Sequence, residues 1–115
     1  MIDEGWWPVL EIPDGKLVDY LPNPEHPTGG PKARFFLSFG FDRSRPQELG
    51  RALLAQADAL YGTEALRLVQ VDGRVRLVLE GPIAAPDGRR PRVRVVWQRQ
   101  AAIAWRLITA VPLTR

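Results

Sequence analysis

Residues 65 to 79 read ALRLVQVDGRVRLVL, and these fifteen positions decide the fold. In the second half Val75, Leu77 and Leu79 alternate with Arg74 and Arg76. That period of two puts one face of a strand on a core and the other in water. Asp72-Gly73 stands between the two runs, and both residues tolerate the positive φ that a type I′ turn requires. Strands over 65–71 and 74–79 are therefore expected to pair as an antiparallel hairpin.

Toward the C-terminus the alternation continues. Gly81 to Gly88 holds a second turn signal, Pro86-Asp87-Gly88, and a third strand is expected over 91–99, with Val93, Val95 and Trp97 set against Arg92 and Arg94. Gln100 to Ala102 connects it to a last strand over 103–111, which Pro112 ends. Placing Trp97 opposite Trp105 sets Val95 across from Leu107 and Val93 across from Thr109, with Arg94 diagonal to Arg106. One face is then apolar, and the other carries Arg74, Arg76, Arg92, Arg94 and Arg106. On this register Thr109 falls on the apolar face unless a bulge re-aims it.

Toward the N-terminus the period changes to helical. Leu49, Leu53, Ala57 and Leu60 form one stripe of a helix over 45–60, with Ser44 as its expected cap, Pro46 in its first turn and Tyr61-Gly62 closing it. A shorter helix runs from Pro31 to Gly40, with Ala33, Phe36 and Leu37 at helical spacing and Gly40 as the stop. Asp14 caps a first helix over 15–21, burying Leu17, Val18 and Leu21. The leading residues, with Trp6, Trp7, Val9, Leu10 and Ile12, dock as an extended segment because Pro8 and Pro13 exclude a helix. Helices followed by hairpin-linked strands predict a single α+β domain over 1–115, with N-terminal helices packed on one face of a four-stranded antiparallel sheet.

Composition narrows the chemistry. The 115 residues contain no cysteine and one histidine, so neither a disulfide framework nor a thiolate or histidine-rich metal site is available, and no cofactor is expected. No run approaches the ~18 apolar residues of a membrane span, and the start is acidic (Asp3, Glu4), unlike a signal peptide. A soluble, cytoplasmic protein is the expectation. The net charge is +3, but residues 1–30 hold six acids against one base, while residues 31–115 hold fifteen bases against seven acids. After Asp87 the only charges are arginines. Such a block attracts polyanions, nucleic acid first among them, or else supplies solubility on an exposed sheet face.

The most unusual stretch is Leu21 to Phe41, LPNPEHPTGGPKARFFLSFGF. Pro22, Pro24, Pro27, Gly29, Gly30 and Pro31 crowd its first eleven residues, so the prolines stiffen a loop around His26. His26 is the one imidazole on hand for proton transfer near neutral pH, and an exposed loop histidine is the alternative. Lys32 opens a helix, where the macrodipole disfavours a cation, so Glu25 or an anionic ligand should offset it. Arg34 follows it on the same helix. Trp97 and Trp105 could stack on bases, although the register puts them on the apolar face, where they would be core; Trp97 is kept with Arg34, Arg74, Arg76, Arg92 and Arg94 as a candidate substrate contact. No Ser-His-Asp set, Walker loop or dinucleotide fingerprint can be assembled.

Residues 16–41 carry Lys16-Leu17, Tyr20-Leu21, Asn23-Pro24-Glu25-His26-Pro27, Gly29, Lys32-Ala33, Phe35-Phe36 and Gly40-Phe41. This resembles a small bacterial domain family of unassigned function with the signature KLxxYLLNPxHPxGxxKAxFFxxxGF, found alone and at the C-termini of secreted polymorphic toxins. Its later signature is matched by Val93 to Trp97 and by Arg106-Leu107-Ile108-Thr109, while Pro22 and Trp105 depart from it. The helices-then-sheet layout is also similar to the BECR ribonuclease-like toxins. That resemblance implies a metal-independent endoribonuclease with His26 as general acid or base, Lys32 and Arg106 on the phosphate and Thr109 orienting it. RNA and a cognate antitoxin or immunity protein would be its partners. Two other readings stay open: a non-catalytic module that binds RNA or protein through the arginine face, and an interaction domain that docks through its N-terminal tryptophans.

Overall fold

The computed structural model describes residues 9–13, 30–42 and 44–113, with residues 30–33 by their backbone alone. The expected helix over 15–21, the loop around His26 and the leading tryptophans lie outside the described residues. The described residues form seven elements: β1 (Val9–Glu11), α1 (Gly30–Ser38), α2 (Pro46–Leu60), β2 (Leu66–Val71), β3 (Arg74–Pro82), β4 (Arg92–Arg99) and β5 (Ala104–Pro112).

The four-stranded antiparallel sheet is corrected by the pairing. Five strands form one mixed sheet in the order β1-β5-β4-β3-β2, with β1 parallel to β5 and every other pair antiparallel. The BECR-like layout, with its N-terminal helical layer on four strands, falls with it. What the prediction missed is that the extended start of the chain returns to the last strand. Val9, Leu10 and Glu11 stand beside Ala104, Trp105 and Arg106. Its three residues are bounded downstream by Pro13, too short a run to show a period.

The hairpin is as its residues dictate. Asp72 (φ 52°) and Gly73 (φ 79°) both take the left-handed conformation, and Val71 pairs with Arg74 across the turn. α1 also stops as expected. Gly40 sits at φ 99°; its N–H donates to Leu37 O at 3.0 Å and the Phe41 N–H reaches Phe36 O at 3.3 Å. These are the two bonds of a Schellman ending. The apolar contact that accompanies such an ending is Phe36 against Phe41, edge to face at 6.1 Å. The start of α2 differs from expectation. Arg45 is the N-cap and no side chain caps it. Ser44 instead donates its N–H to Asp42 Oδ1 at 2.9 Å, holding the Asp42 carboxyl below its ordinary range.

Both helices pack on one face of the sheet, called inner here. Phe36 of α1 and Leu49 and Leu53 of α2 are buried with Leu77, Leu79, Val93, Val95, Trp97 and Leu107 of the strands. Gln56 is the buried polar exception: its Nε2 donates to Gly81 O at 3.0 Å and Val93 O at 2.9 Å, tying α2 to β3 and β4. Gly81 lies under Leu60, whose Cδ1 would stand 2.8 Å from a Cβ at that position. The turn at 86–88 docks on the end of α1. Arg89 donates to Ser38 O at 2.8 Å and to Asp87 Oδ2 at 2.7 Å, while its guanidinium covers the Phe39 ring at 4.3 Å.

Candidate nucleic-acid interface

The outer face of the sheet takes its character from one irregularity. Val95 pairs with Ala110 and Val96 with Thr109, but Trp97 pairs with Leu107, so Ile108 is an extra residue in β5. A bulge of this kind changes which face the following side chains take. Leu107 and Ala110, three residues apart, both face the core and are about fully buried. Thr109 is thereby carried to the outer face, opposite Val96. The register that set Trp97 against Trp105 is corrected to Trp97–Leu107 and Arg99–Trp105, and the bulge resolves the placement of Thr109 that the regular register put on the apolar side.

Cross-strand pairing arranges the outer face in rows. One row runs Glu11, Arg106, Gln98, Arg76, Val69 across all five strands; the next runs Thr109, Val96, Val78, Arg67; a third runs Val111, Arg94, Glu80. Thr109 thus lies between the rows of Arg106 and Arg94, with rows about 7 Å apart and strands about 4.8 Å apart. Arg74 and Arg92 extend the same face at its two ends. Six guanidinium groups (Arg67, Arg74, Arg76, Arg92, Arg94, Arg106) meet two carboxylates there, Glu11 and Glu80.

The polar contacts fix several of these groups. Glu80 Oε2 accepts from Arg94 Nε at 2.5 Å and Arg67 at 3.1 Å. The hydrogen-bonded Arg94 guanidinium holds the Glu80 carboxyl below its usual range, against the opposing effect of burial. Arg76 Nε donates to Gln98 Oε1 at 3.0 Å, and Arg106 Nε stands 3.9 Å from Glu11 Oε1. Among the described residues Arg74 and Arg92 form no ion pair. Arg94 and Arg106 keep 44% and 51% of their side-chain surface exposed, so their guanidinium groups remain open to an anion.

Not every residue chosen from the sequence is on this face. Trp97 is removed from the candidate contacts: it is fully buried on the inner face, between Leu77 and Leu107. Arg34 and the backbone of Lys32 belong to α1, in the helical layer, which touches the sheet at β5. His26 and the Lys32 side chain lie outside the described residues. Conversely, Arg67, Gln98 and Glu80 belong to the site although sequence reasoning did not select them. Arg67 could have been found by carrying the alternation of β3 back across the hairpin. No group of three acid or histidine side chains among the described residues is placed to hold a metal ion, and no described helix is long and apolar enough to cross a membrane.

The model of a domain of unknown function, DUF6883, matches residues 8–114. The chain belongs to the DUF6883 family. This agrees with the family of unassigned function expected from the sequence. No curated protein matches the DUF6883 chain. Among solved structures, a chain of the contact-dependent growth inhibition toxin–immunity protein complex from Klebsiella pneumoniae 342 is similar at a TM-score of 0.67 and 14% identity, over 89% of this chain and 98% of that one. At that identity the likeness is one of fold, and the fold is that of a chain found in a toxin-related assembly.

Proposed function

We propose that this DUF6883 domain is a toxin-type endoribonuclease that binds RNA on the outer face of its sheet and cleaves it without a metal ion. The observation that supports this reading best is the cationic outer face itself, on which Thr109 stands between the rows of Arg106 and Arg94. In the proposed reaction the RNA 2′-hydroxyl attacks the adjacent phosphorus, the bond to the 5′-oxygen breaks, and a 2′,3′-cyclic phosphate forms. His26 takes the proton from the attacking hydroxyl or returns one to the leaving oxygen. Arg106 and Lys32 hold the charge that builds on the phosphoryl oxygens, and Thr109 orients them. Arg74, Arg76, Arg92 and Arg94 bind flanking phosphates. A cognate immunity or antitoxin protein is the proposed protein partner.

Cleavage of end-labelled single-stranded RNA in EDTA tests the proposal. Wild type is expected to give cyclic-phosphate ends, and His26→Ala to cleave at least 100-fold more slowly with unchanged RNA affinity. Unchanged cleavage by His26→Ala would remove the histidine from the reaction. One observation favours a second reading: Arg67, Arg94 and Arg106 already engage Glu80 and Glu11 within the chain. A non-catalytic module binding RNA or a protein would show binding that weakens steeply with salt, no cleavage products and indifference to His26.

A further inference from the structure

Among the described residues the helices leave one end of the inner face uncovered. There a groove of about 510 Å³ is lined by Tyr61, Leu66, Leu68, Val75, Ile103 and Trp105. Leu66 and Leu68 belong to β2, the last strand of the sheet. Leu68 keeps 61% of its surface exposed, and Val69 and Val71 are exposed beside it. An edge strand is ordinarily protected by a proline, a bulge or an inward charge. β2 has no proline and no break in its register from Leu66 to Val71. The open edge and the open groove are continuous.

The hairpin determines which backbone groups this edge offers. Val71 and Arg74 close a two-residue turn and exchange hydrogen bonds, so the N–H groups of Arg67, Val69 and Val71 point to β3. Those of Leu68 and Gln70 point away from the sheet. The Leu66 N–H is engaged by Thr63 O at 3.2 Å. A sixth strand laid along β2 would therefore find two free donors in register. Its side chains on one face would drop beside Leu66 and Leu68 over the groove.

Charge selects the occupant. Glu64 and Asp72 flank β2, and between them the charges bordering the strand are Arg67, Arg74 and Arg76 on the outer side, with Glu80 bonded to Arg67, and Arg99 in the groove wall, a net positive edge. Arg99 and Arg74 also line the adjoining hollow at the hairpin. A second copy would bring the same cations together within about a Debye length of ~10 Å, which disfavours self-pairing. We propose that β2 is a docking edge for an extended segment of a partner protein that alternates apolar residues, facing the groove, with acidic residues facing the outer arginines. This edge borders the arginine rows and shares Arg67 and Arg76 with them, but its backbone donors and its groove lie away from Thr109, and the inference stands whether or not the domain cleaves RNA.

The test uses the full chain and an acetylated, amidated eight-residue peptide alternating Val and Glu. In hydrogen exchange followed by NMR, the peptide is expected to slow exchange at least tenfold at the Leu68 and Gln70 amides and leave Arg67, Val69 and Val71 unchanged. The Val/Lys counterpart should bind at least tenfold more weakly. Two further peptides, N-methylated on every Val or on every Glu, should differ, because one set of amides faces β2 and the other faces solvent. Absence of binding, equal binding of the lysine peptide, or equal binding of both methylated peptides would overturn the proposal. So would a concentration-dependent dimer of the chain alone that protects Leu68 and Gln70, which would make the occupant a second copy.

Discussion

Thr109 stands opposite Val96 on the outer face, while Leu107, two residues earlier, stands opposite Trp97 on the inner face. In a regular strand these two side chains would share a face. Ile108 separates them, and the place of Thr109 among the outer-face arginines depends on that one extra residue. A direct check compares Ala110→Lys with Thr109→Lys. Ala110 has no exposed surface, so a buried ammonium there should cost about 3 kcal/mol or more. Thr109→Lys, on the outer face, should cost about 1 kcal/mol or less in urea melts. Without the bulge the order of the two would reverse.

Much of this was legible in the residues. The Asp72-Gly73 hairpin and the Gly40 stop follow from backbone conformations that few other residues accept, so local sequence suffices for them. The parallel pairing of β1 with β5 was not legible, because it joins residue 9 to residue 104 and neither segment carries a signal for the other. The bulge left a trace in the sequence. Leu107 and Ala110 are apolar at a spacing of three, with Ile108 and Val111 between and after them, and strict alternation cannot bury both Leu107 and Ala110. Ser44 does not cap because the helix begins at Pro46, which makes Arg45 the N-cap and leaves Ser44 in a turn with Asp42. His26 lies outside the described residues.

Trp97 should behave as core and not as a base-stacking surface. Trp97→Ala is expected to cost about 3–5 kcal/mol. At a temperature where the variant is fully folded, its RNA affinity should equal that of wild type. A variant that keeps its melting temperature but loses RNA binding would return Trp97 to the interface.

Gly40→Ala carries two separate costs. The residue holds φ at 99°, and an added Cβ would come within 3.3 Å of Asp87 N and Pro86 Cβ, where the turn docks on α1. Gly62, at φ 84°, has the same conformational demand but nothing within 4 Å of an added Cβ. Each alanine should destabilise by about 1 kcal/mol for the left-handed backbone, and Gly40→Ala should exceed Gly62→Ala by a further ~1 kcal/mol. Equal melting temperatures for the two variants would mean the turn at 86–88 yields freely.

Acid should loosen the fold through Glu80 and Asp87. Arg94 hydrogen-bonded to Glu80, and Arg89 hydrogen-bonded to Asp87, hold both carboxyls below their ordinary values. A carboxyl depressed in the folded state stabilises fully above its unfolded value, about 4, and that contribution disappears as pH falls through the lower folded value. Thermal melts should therefore show stability rising from pH 2 to about 5 through these groups. In Glu80→Gln with Asp87→Asn the rise should be shallower, and above pH 5 the double variant should melt lower than wild type. An unaltered slope below pH 4 would show that neither carboxyl is coupled to folding.

Gln56→Leu should destabilise even though it makes the core more apolar. The Gln56 side chain is 3% exposed, and its Nε2 serves the Gly81 and Val93 carbonyls together. Leucine is close in size but donates nothing. A buried carbonyl left without its donor costs about 1–3 kcal/mol, which the added apolar contact offsets only in part. The expected net loss is about 2 kcal/mol, read as a lower urea midpoint at an unchanged slope. Faster exchange should be confined to amides near the Gly81–Val93 pair, where β3 and β4 receive α2. A variant as stable as wild type would mean that both carbonyls find their main partners within the sheet, and that α2 is held by Leu49 and Leu53 alone.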